Sequence, residues 1–250
     1  MRFVAHRYDE LVSTMDEAQA LARAGAPDGT VVVARRQSAA RGRQGRAWVS
    51  PEGNLHVSVL LRPGVPVARL TELGFAVALA VADAVDGALG AARAQLKWPN
   101  DVLVDGAKVA GILVELAQEG AAIVGVGVNV AHSPEGVPYP ATSLHACGGA
   151  VDAEAVLLAL LDALELRLRL WLTDGFALLR AAWLARGPAY GDTIRLRRGD
   201  QISAGYYLGL DTDGALLIRT EAGTQRVVAG EVTNAPLPRS GSGRGAERRG

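Results

Sequence analysis

Five arginines, Arg35, Arg36, Arg41, Arg43 and Arg46, crowd the segment 35–46 together with Gly42 and Gly45, and no acidic residue interrupts them. Guanidinium forks match carboxylate and phosphate oxygens bidentately, and glycine lets a backbone approach a ligand closely. The whole chain carries 26 Lys+Arg and 26 Asp+Glu, so the cluster is a local feature of a neutral protein. Composition leaves two readings open: a loop that holds anions, or a solvated Arg-Gly loop of the kind that touches nucleic acid. Further along, Lys97 and Asn100 flank Pro99, which restricts the backbone before it. Lys108 opens an apolar run directly after Asp105-Gly106, where its ammonium can point from a strand end into a site. Gly111 stands inside that run, where glycine weakens a strand unless something packs closely on it. The Gln37 amide can both donate and accept, and Ser13 and Thr14 place two hydroxyls at a helix start, where they also cap. Trp98 reads equally as a buried support of the sheet and as a ligand contact.

Other chemistries are poorly served. His6, His56, His132 and His145 are scattered without ligand-like spacing, so no structural metal is expected. The single Cys147 cannot close an internal disulfide, which fits a reducing cytoplasm. The N-terminal stretch is charged and lacks an apolar core, and the most apolar run, Phe75 to Val85, is short and contains Asp83. The protein is therefore expected to be cytoplasmic, neither exported nor membrane-embedded.

The elements that must position these residues follow from periodicity. A helix is predicted from Ser13 and Thr14 to Gly25, a strand over Thr30–Ala34, a loop over 35–48, a strand over Leu55–Leu61 and a long helix over Ala68–Leu89 with Glu72, Asp83 and Asp86 on its polar side. Strands over Gln95–Trp98, Asp101–Val104, Lys108–Leu116 and Ala121–Val130 follow, joined by turns at Asp105-Gly106 and Glu119-Gly120. Tight turns between consecutive strands imply an α+β fold with a mixed, mainly antiparallel sheet. Helices over Asp152–Trp171 and Phe176–Ala185 end at Gly187-Pro188. Short alternating runs, Thr193–Arg197, Ile202–Leu210, Ala215–Thr220 and Gln225–Ala229, then predict a small SH3-like β-barrel. With 250 residues, 49% of them apolar, one large core and one small one are expected. The domains are accordingly 1–187, 188–235 and a disordered Gly/Ser/Pro/Arg tail, 236–250.

RGRQGRAW at Arg41 to Trp48, KWPND at Lys97 to Asp101, KVAGILVE at Lys108 to Glu115 and GVGVN at Gly125 to Asn129 occur in the order and at the approximate separations of biotin protein ligases. The chain resembles that family from about Ser13 to Thr233. The resemblance implies a ligase-like catalytic domain that turns biotin and ATP, with Mg²⁺, into biotinyl-5′-AMP and transfers biotin to a lysine of a biotin carboxyl carrier domain.

Carried over residue by residue, the resemblance puts Arg41, Gly42 and Arg43 at the biotin and acyl-phosphate site, with Arg43 limiting escape of the adenylate. It puts Arg46 and Trp48 at the nucleotide, Gln37 at the ureido ring, and Ser13 and Thr14 on biotin. Lys108 would lie against the biotin carboxylate and α-phosphate, catalytic together with Arg43, with Gly111 packed on the ligand. Lys97 and Asn100 would contact nucleotide phosphates, and Asn129 would read adenine. Ligands for Mg²⁺ are not assignable.

Two positions depart from the family pattern: Met15 stands where Asn is usual, removing an amide from the pocket rim, and Ala40 stands where Gly is usual, stiffening a loop hinge. The five like charges of the arginine loop should repel without an anion, so its ordering should be coupled to binding. A lipoate or octanoate ligase of the same fold and an inactive biotin-binding module are the alternatives. Catalytic motifs that begin at Ser13 leave no room for a helix-turn-helix domain, so neither DNA binding nor repression is expected. The oligomeric state stays open, a homodimer included.

Overall fold

The computed structural model describes residues 2–233; the tail expected to be disordered lies outside the described residues. Seven strands, β1 (Val4–Leu11), β2 (Thr30–Gln37), β3 (Leu55–Leu61), β4 (Ala94–Lys97), β5 (Asp101–Val104), β6 (Ala107–Leu116) and β7 (Ala122–Val128), form one sheet in the order β1-β2-β3-β7-β6-β5-β4. Every pairing is antiparallel except β1 with β2, which makes the sheet mixed, as the turn-rich sequence implies. Asp105 and Gly106 both adopt positive φ, 51° and 80°, and close the β5–β6 hairpin. Helix α1 (Thr14–Arg23) is capped by Ser13, whose hydroxyl accepts from the Met15 amide, and Asp16 and Glu17 favour its positive end.

Strand β2 runs on to Gln37, three residues into the expected loop, a short strand over Glu231–Thr233 was not expected, and two further elements differ from the sequence reading. Strand β1 carries charged residues on both faces and little apolar alternation, and it forms because its backbone pairs along the edge of β2. The helix expected from Ala68 starts instead at Leu73, after a 3-10 turn over Val67–Glu72. There Thr71 Oγ1 bonds the Ala68 carbonyl and Arg69 bonds Glu72, local pairings that favour the tighter turn.

The two faces of the sheet have different work. On one face, Leu55, Val57, Val59 and Leu61 of β3 and Val124, Val126 and Val128 of β7 pack into a core with α2 (Leu73–Leu89) and α3 (Ala153–Asp174). The residues between them, Leu60 and Ile123, meet Met15 and Ala18 of α1 in a smaller cluster on the other face. Asp83 and Asp86 of α2 are bridged by Arg186, beyond α4 (Phe176–Leu184), and Asp83 also pairs with Arg167 of α3.

The C-terminal strands, β8 (Thr193–Arg198), β9 (Gln201–Leu210), β10 (Leu216–Thr220), β11 (Gly223–Val227) and β12 (Glu231–Thr233), form a second, antiparallel sheet in the order β11-β10-β9-β8-β12. Its buried Tyr207, Leu210, Leu216 and Ile218 belong to the same apolar cluster as α2 and α4, where Phe75 stacks edge-on against Phe176 and Trp183. Instead of a separate small core, one core runs through both sheets. Trp98, 4% exposed, donates its indole N–H to the Gly214 carbonyl at 3.2 Å and pins the second sheet to the first. Among the described residues no helix is long and apolar enough to cross a membrane.

Candidate active site

The sheet face that carries α1 is bare over part of its width because glycines line it. Gly111 of β6 pairs with Gly127 of β7, which in turn pairs with His56 of β3, while Gly125 lies between Leu113 and Ser58. Cross-strand partners share a face, so three glycines make a trough. A Cβ at Gly127 would come within 2.4 Å of the Trp48 indole, one at Gly111 within 3.0 Å of the same ring, and one at Gly125 within 2.6 Å of the Met15 sulfur. The strand glycines thus admit Trp48 and Met15 to the sheet; close packing at Gly111 is against Trp48 and Lys108. A cavity of about 320 Å³ opens above, lined by the start of α1, segment 40–48, β6 between Lys108 and Leu113, and the edge of the C-terminal sheet.

One end of the cavity is neutral and polar. Ser58 Oγ donates to Thr14 Oγ1 at 2.8 Å, the Thr14 amide and hydroxyl both donate to Gln37 Oε1, and Gln37 Nε2 donates to Ser50 Oγ. Thr14 and Gln37 face the cavity; Ser13, beside them, is engaged as the helix cap. Met15 is 4% exposed and belongs to the cluster under α1, so it forms part of the floor and not the rim.

The other end is cationic around one buried carboxylate. Lys97 Nζ and Lys108 Nζ lie 2.7 and 2.6 Å from the two oxygens of Asp101. Burial opposes charge on Asp101, but Lys108 and Lys97 together outweigh it and hold its carboxyl below the usual carboxylate range. A bulge in the β5–β6 pairing, between Val102 and Leu103, breaks the strand alternation beside Lys108. The Lys108 ammonium sits 5.4 Å from the Trp48 ring centre and 5.5 Å from that of Tyr139. Asn100 donates to the Ile112 carbonyl and turns its own oxygen toward Arg43.

The arginine loop folds back over the cavity as a small hairpin in which Arg41 bridges Ala47 and the Trp48 amide bonds the Ala40 carbonyl. Its turn uses Gln44 at φ 58° and Gly45 at φ 70°; Ala40 is not at positive φ, so alanine fits there without strain. Charge repulsion is met by carboxylates from other elements. Arg41 bonds Asp16 at 2.6 Å and Glu115 at 3.4 Å, and Arg46 bonds both oxygens of Glu231 at 2.9 and 3.0 Å. Arg43, half-buried, reaches the Gly230 carbonyl at 3.3 Å; burial and the neighbouring Arg46 lower its pKa. The charges of Arg41 and Arg46 are thus answered by carboxylates of α1, β6 and β12. Arg35 and Arg36 are not part of the site: they pair with Asp9, Glu10 and Glu52 outside the cavity lining.

Of the residues singled out in the sequence, the structure gathers Ser13, Thr14, Met15, Gln37, Arg41, Gly42, Arg43, Arg46, Trp48, Lys97, Asn100, Lys108 and Gly111 around one cavity. Asn129 stands apart. It is 2% exposed, outside the lining, and its amide donates to the carbonyls of Thr142 and Lys108. The sequence reading missed the carboxylates Asp16, Asp101, Glu115 and Glu231 and the ring of Tyr139. Asp101 and Glu115 left a signal, as the last residues of KWPND and KVAGILVE; Asp16, Glu231 and Tyr139 left none.

The biotin/lipoate A/B protein ligase family model matches residues 11–130, and the biotin protein ligase C-terminal domain model matches 190–233. The chain is 43% identical over 212 residues to the biotin–[acetyl-CoA-carboxylase] ligase of Paracoccus denitrificans, covering 80% of this chain and 88% of that one. It is 36% identical over 235 residues to the bifunctional ligase/repressor BirA of Bacillus subtilis, covering 90% of this chain and 72% of that one. The biotin protein ligase of Aquifex aeolicus, solved with biotin and ATP, superposes with a TM-score of 0.79 at 31% identity, over 92% of this chain and 97% of that one. Likeness that runs through both sheets settles the family: the chain belongs to the biotin protein ligases.

Proposed function

We propose that the cavity activates biotin with ATP as biotinyl-5′-AMP and passes the biotinyl group to a lysine of a biotin carboxyl carrier domain. The observation that carries this reading is polarity along one cavity: a neutral hydrogen-bonding end at Thr14 and Gln37, and a cationic end at Lys97, Asp101 and Lys108. A ureido ring suits the first end, and a carboxylate meeting a phosphate suits the second.

In the first step a carboxylate oxygen of biotin attacks the α-phosphorus, and pyrophosphate leaves with the bonding electrons. Negative charge accumulates where Lys108 stands, and a fixed ammonium there stabilises the transition state more than it does the separated reactants. Asp101 positions both lysines while cancelling only one of their two charges. Lys97, Asn100, Arg46 and Trp48 are assigned to the nucleotide, and Arg41, Gly42 and Arg43 to the acyl-phosphate. Asn129 acts on the nucleotide side only by holding the segment at Lys108 and Thr142. In the second step the carrier amine attacks the acyl carbon, AMP departs, and the amine loses a proton.

Magnesium is assigned to the substrate. Among the described residues no group of three or more His, Cys, Asp or Glu could hold a metal ion, and the buried carboxylate of the site has an ammonium on each oxygen. This donor set does not fit a protein-held ion, so Mg²⁺ enters as the ATP complex, held by phosphates and water.

Biotin-dependent exchange of pyrophosphate into ATP tests the assignment. Lys108→Ala should keep the fold, since Asp101 retains Lys97, and lose roughly 10²-fold or more in exchange rate. Exchange within a few-fold of wild type would remove Lys108 from the chemistry.

A further inference from the structure

The C-terminal sheet has one buried face and one open face, and the open face runs into the mouth of the cavity. Ile194, Leu196, Tyr207 and Ile218 point inward and are buried. The alternate positions point outward, where pairing aligns Arg197 with Ile202, Arg195 with Ala204, and Tyr206 with Arg219. Arg197, with its β12 neighbour Glu231, also lines the cavity. Ile202 and Tyr206 are 64% and 56% exposed and occupy outward positions of β9 on either side of Ala204. Single exposed apolar side chains need no explanation, but here they form a strip on one face, bordered by cations.

The charge of that face is not neutralised from within. Glu231 is bonded to Arg46. Among the described residues Arg195, Arg197 and Arg219 have no ion-pair partner, although the chain has as many acids as bases.

We propose that this outward face, Ile202 and Tyr206 framed by Arg195, Arg197 and Arg219, is the docking surface for the protein that receives the acyl group: a folded domain with an acidic, partly apolar surface beside its acceptor lysine. The proposal rests on the ligase reading of the cavity. An activated acyl group inside a cavity reaches a lysine on a folded domain only if that domain settles on the rim, and β8 and β12 form part of the rim. The arginines steer an acidic partner toward it, and the tyrosine and isoleucine supply desolvated contact once it arrives.

The test separates the two half-reactions. Arg195→Glu/Arg219→Glu and Ile202→Ser/Tyr206→Ser lie outside the cavity lining, and each pair should leave biotin-dependent pyrophosphate exchange within about two-fold of wild type. With purified apo biotin carboxyl carrier domain as acceptor, KM should rise about ten-fold or more, while transfer to free hydroxylamine is unchanged. If a variant fails to fold, the wild type answers instead: raising the ionic strength should raise the KM for the carrier and leave exchange nearly constant. An unchanged carrier KM in folded variants overturns the docking surface, as does a salt-independent carrier KM. Tight binding of single-stranded nucleic acid to this face, lost in the arginine variant with no effect on carrier transfer, assigns the face to another partner and also overturns it. Absence of biotin-dependent exchange in the wild type would instead bring down the ligase reading beneath it.

Discussion

Trp48 and His56 meet the glycine trough from opposite sides of the loop–sheet boundary, and each keeps a buried ring nitrogen without a hydrogen-bond partner. For His56, 1% exposed, Nε2 lies 3.1 Å from the Pro51 carbonyl, and burial pushes its pKa below the ordinary 6.5. The folded protein thus binds fewer protons at this ring than the unfolded chain does. Its contribution to stability is complete above 6.5 and is lost as pH falls from there through the lowered folded value. Thermal unfolding followed from neutral to mildly acidic pH should show this loss, and His56→Gln, which cannot titrate, should flatten it. Parallel curves for the two proteins would remove His56 as the group responsible. At this scale the residue types of the site were legible because cations and glycines crowd short motifs. The carboxylates that answer them were not. Glu115 and Glu231 are far from Arg41 and Arg46 in sequence, and nothing local marks a glutamate as their partner.

At the scale of elements, the loop over the cavity is held by contacts with three other elements: Asp16 on α1, Glu115 on β6 and Glu231 on β12. The acyl-phosphate proposed for this site would compete with these carboxylates for the same guanidinium forks. The latch can therefore be strong enough to place the loop and still weak enough to yield. A partly exposed ion pair contributes up to ~1 kcal/mol, so Glu231→Gln should make trypsin cut at Arg41, Arg43 and Arg46 roughly two- to five-fold faster. ATP with biotin should protect the variant and the wild type alike; an unchanged cutting rate would place the hold on the loop elsewhere. The hairpin at Asp105-Gly106 and the helix start at Ser13 were readable because turn and cap chemistry is local. Strand β1 was not, since its residues are polar on both faces and only pairing with β2 defines it. Strand β12 is three residues long and is likewise defined by its partner, β8.

Across the whole molecule, the second sheet completes the first. Phe75, Phe176 and Trp183 join the apolar residues of both sheets, Trp98 ties Gly214 to the KWPND turn, and Gly230 and Glu231 close the arginine loop. The sequence announced two modules through a change in pattern at Gly187-Pro188. It could not announce that they share a core, because the contacts that join them are between residues far apart in the chain. The shared core makes the cavity a property of both sheets, with substrate activation on one wall and the proposed carrier surface on the other. The most direct measurement of this account supplies the protein with ATP, Mg²⁺, an apo biotin carboxyl carrier domain and either labelled biotin or labelled lipoate. Label should appear on the carrier lysine from biotin, dependent on ATP; transfer from lipoate alone, or biotin binding with no ATP-dependent transfer, would contradict it.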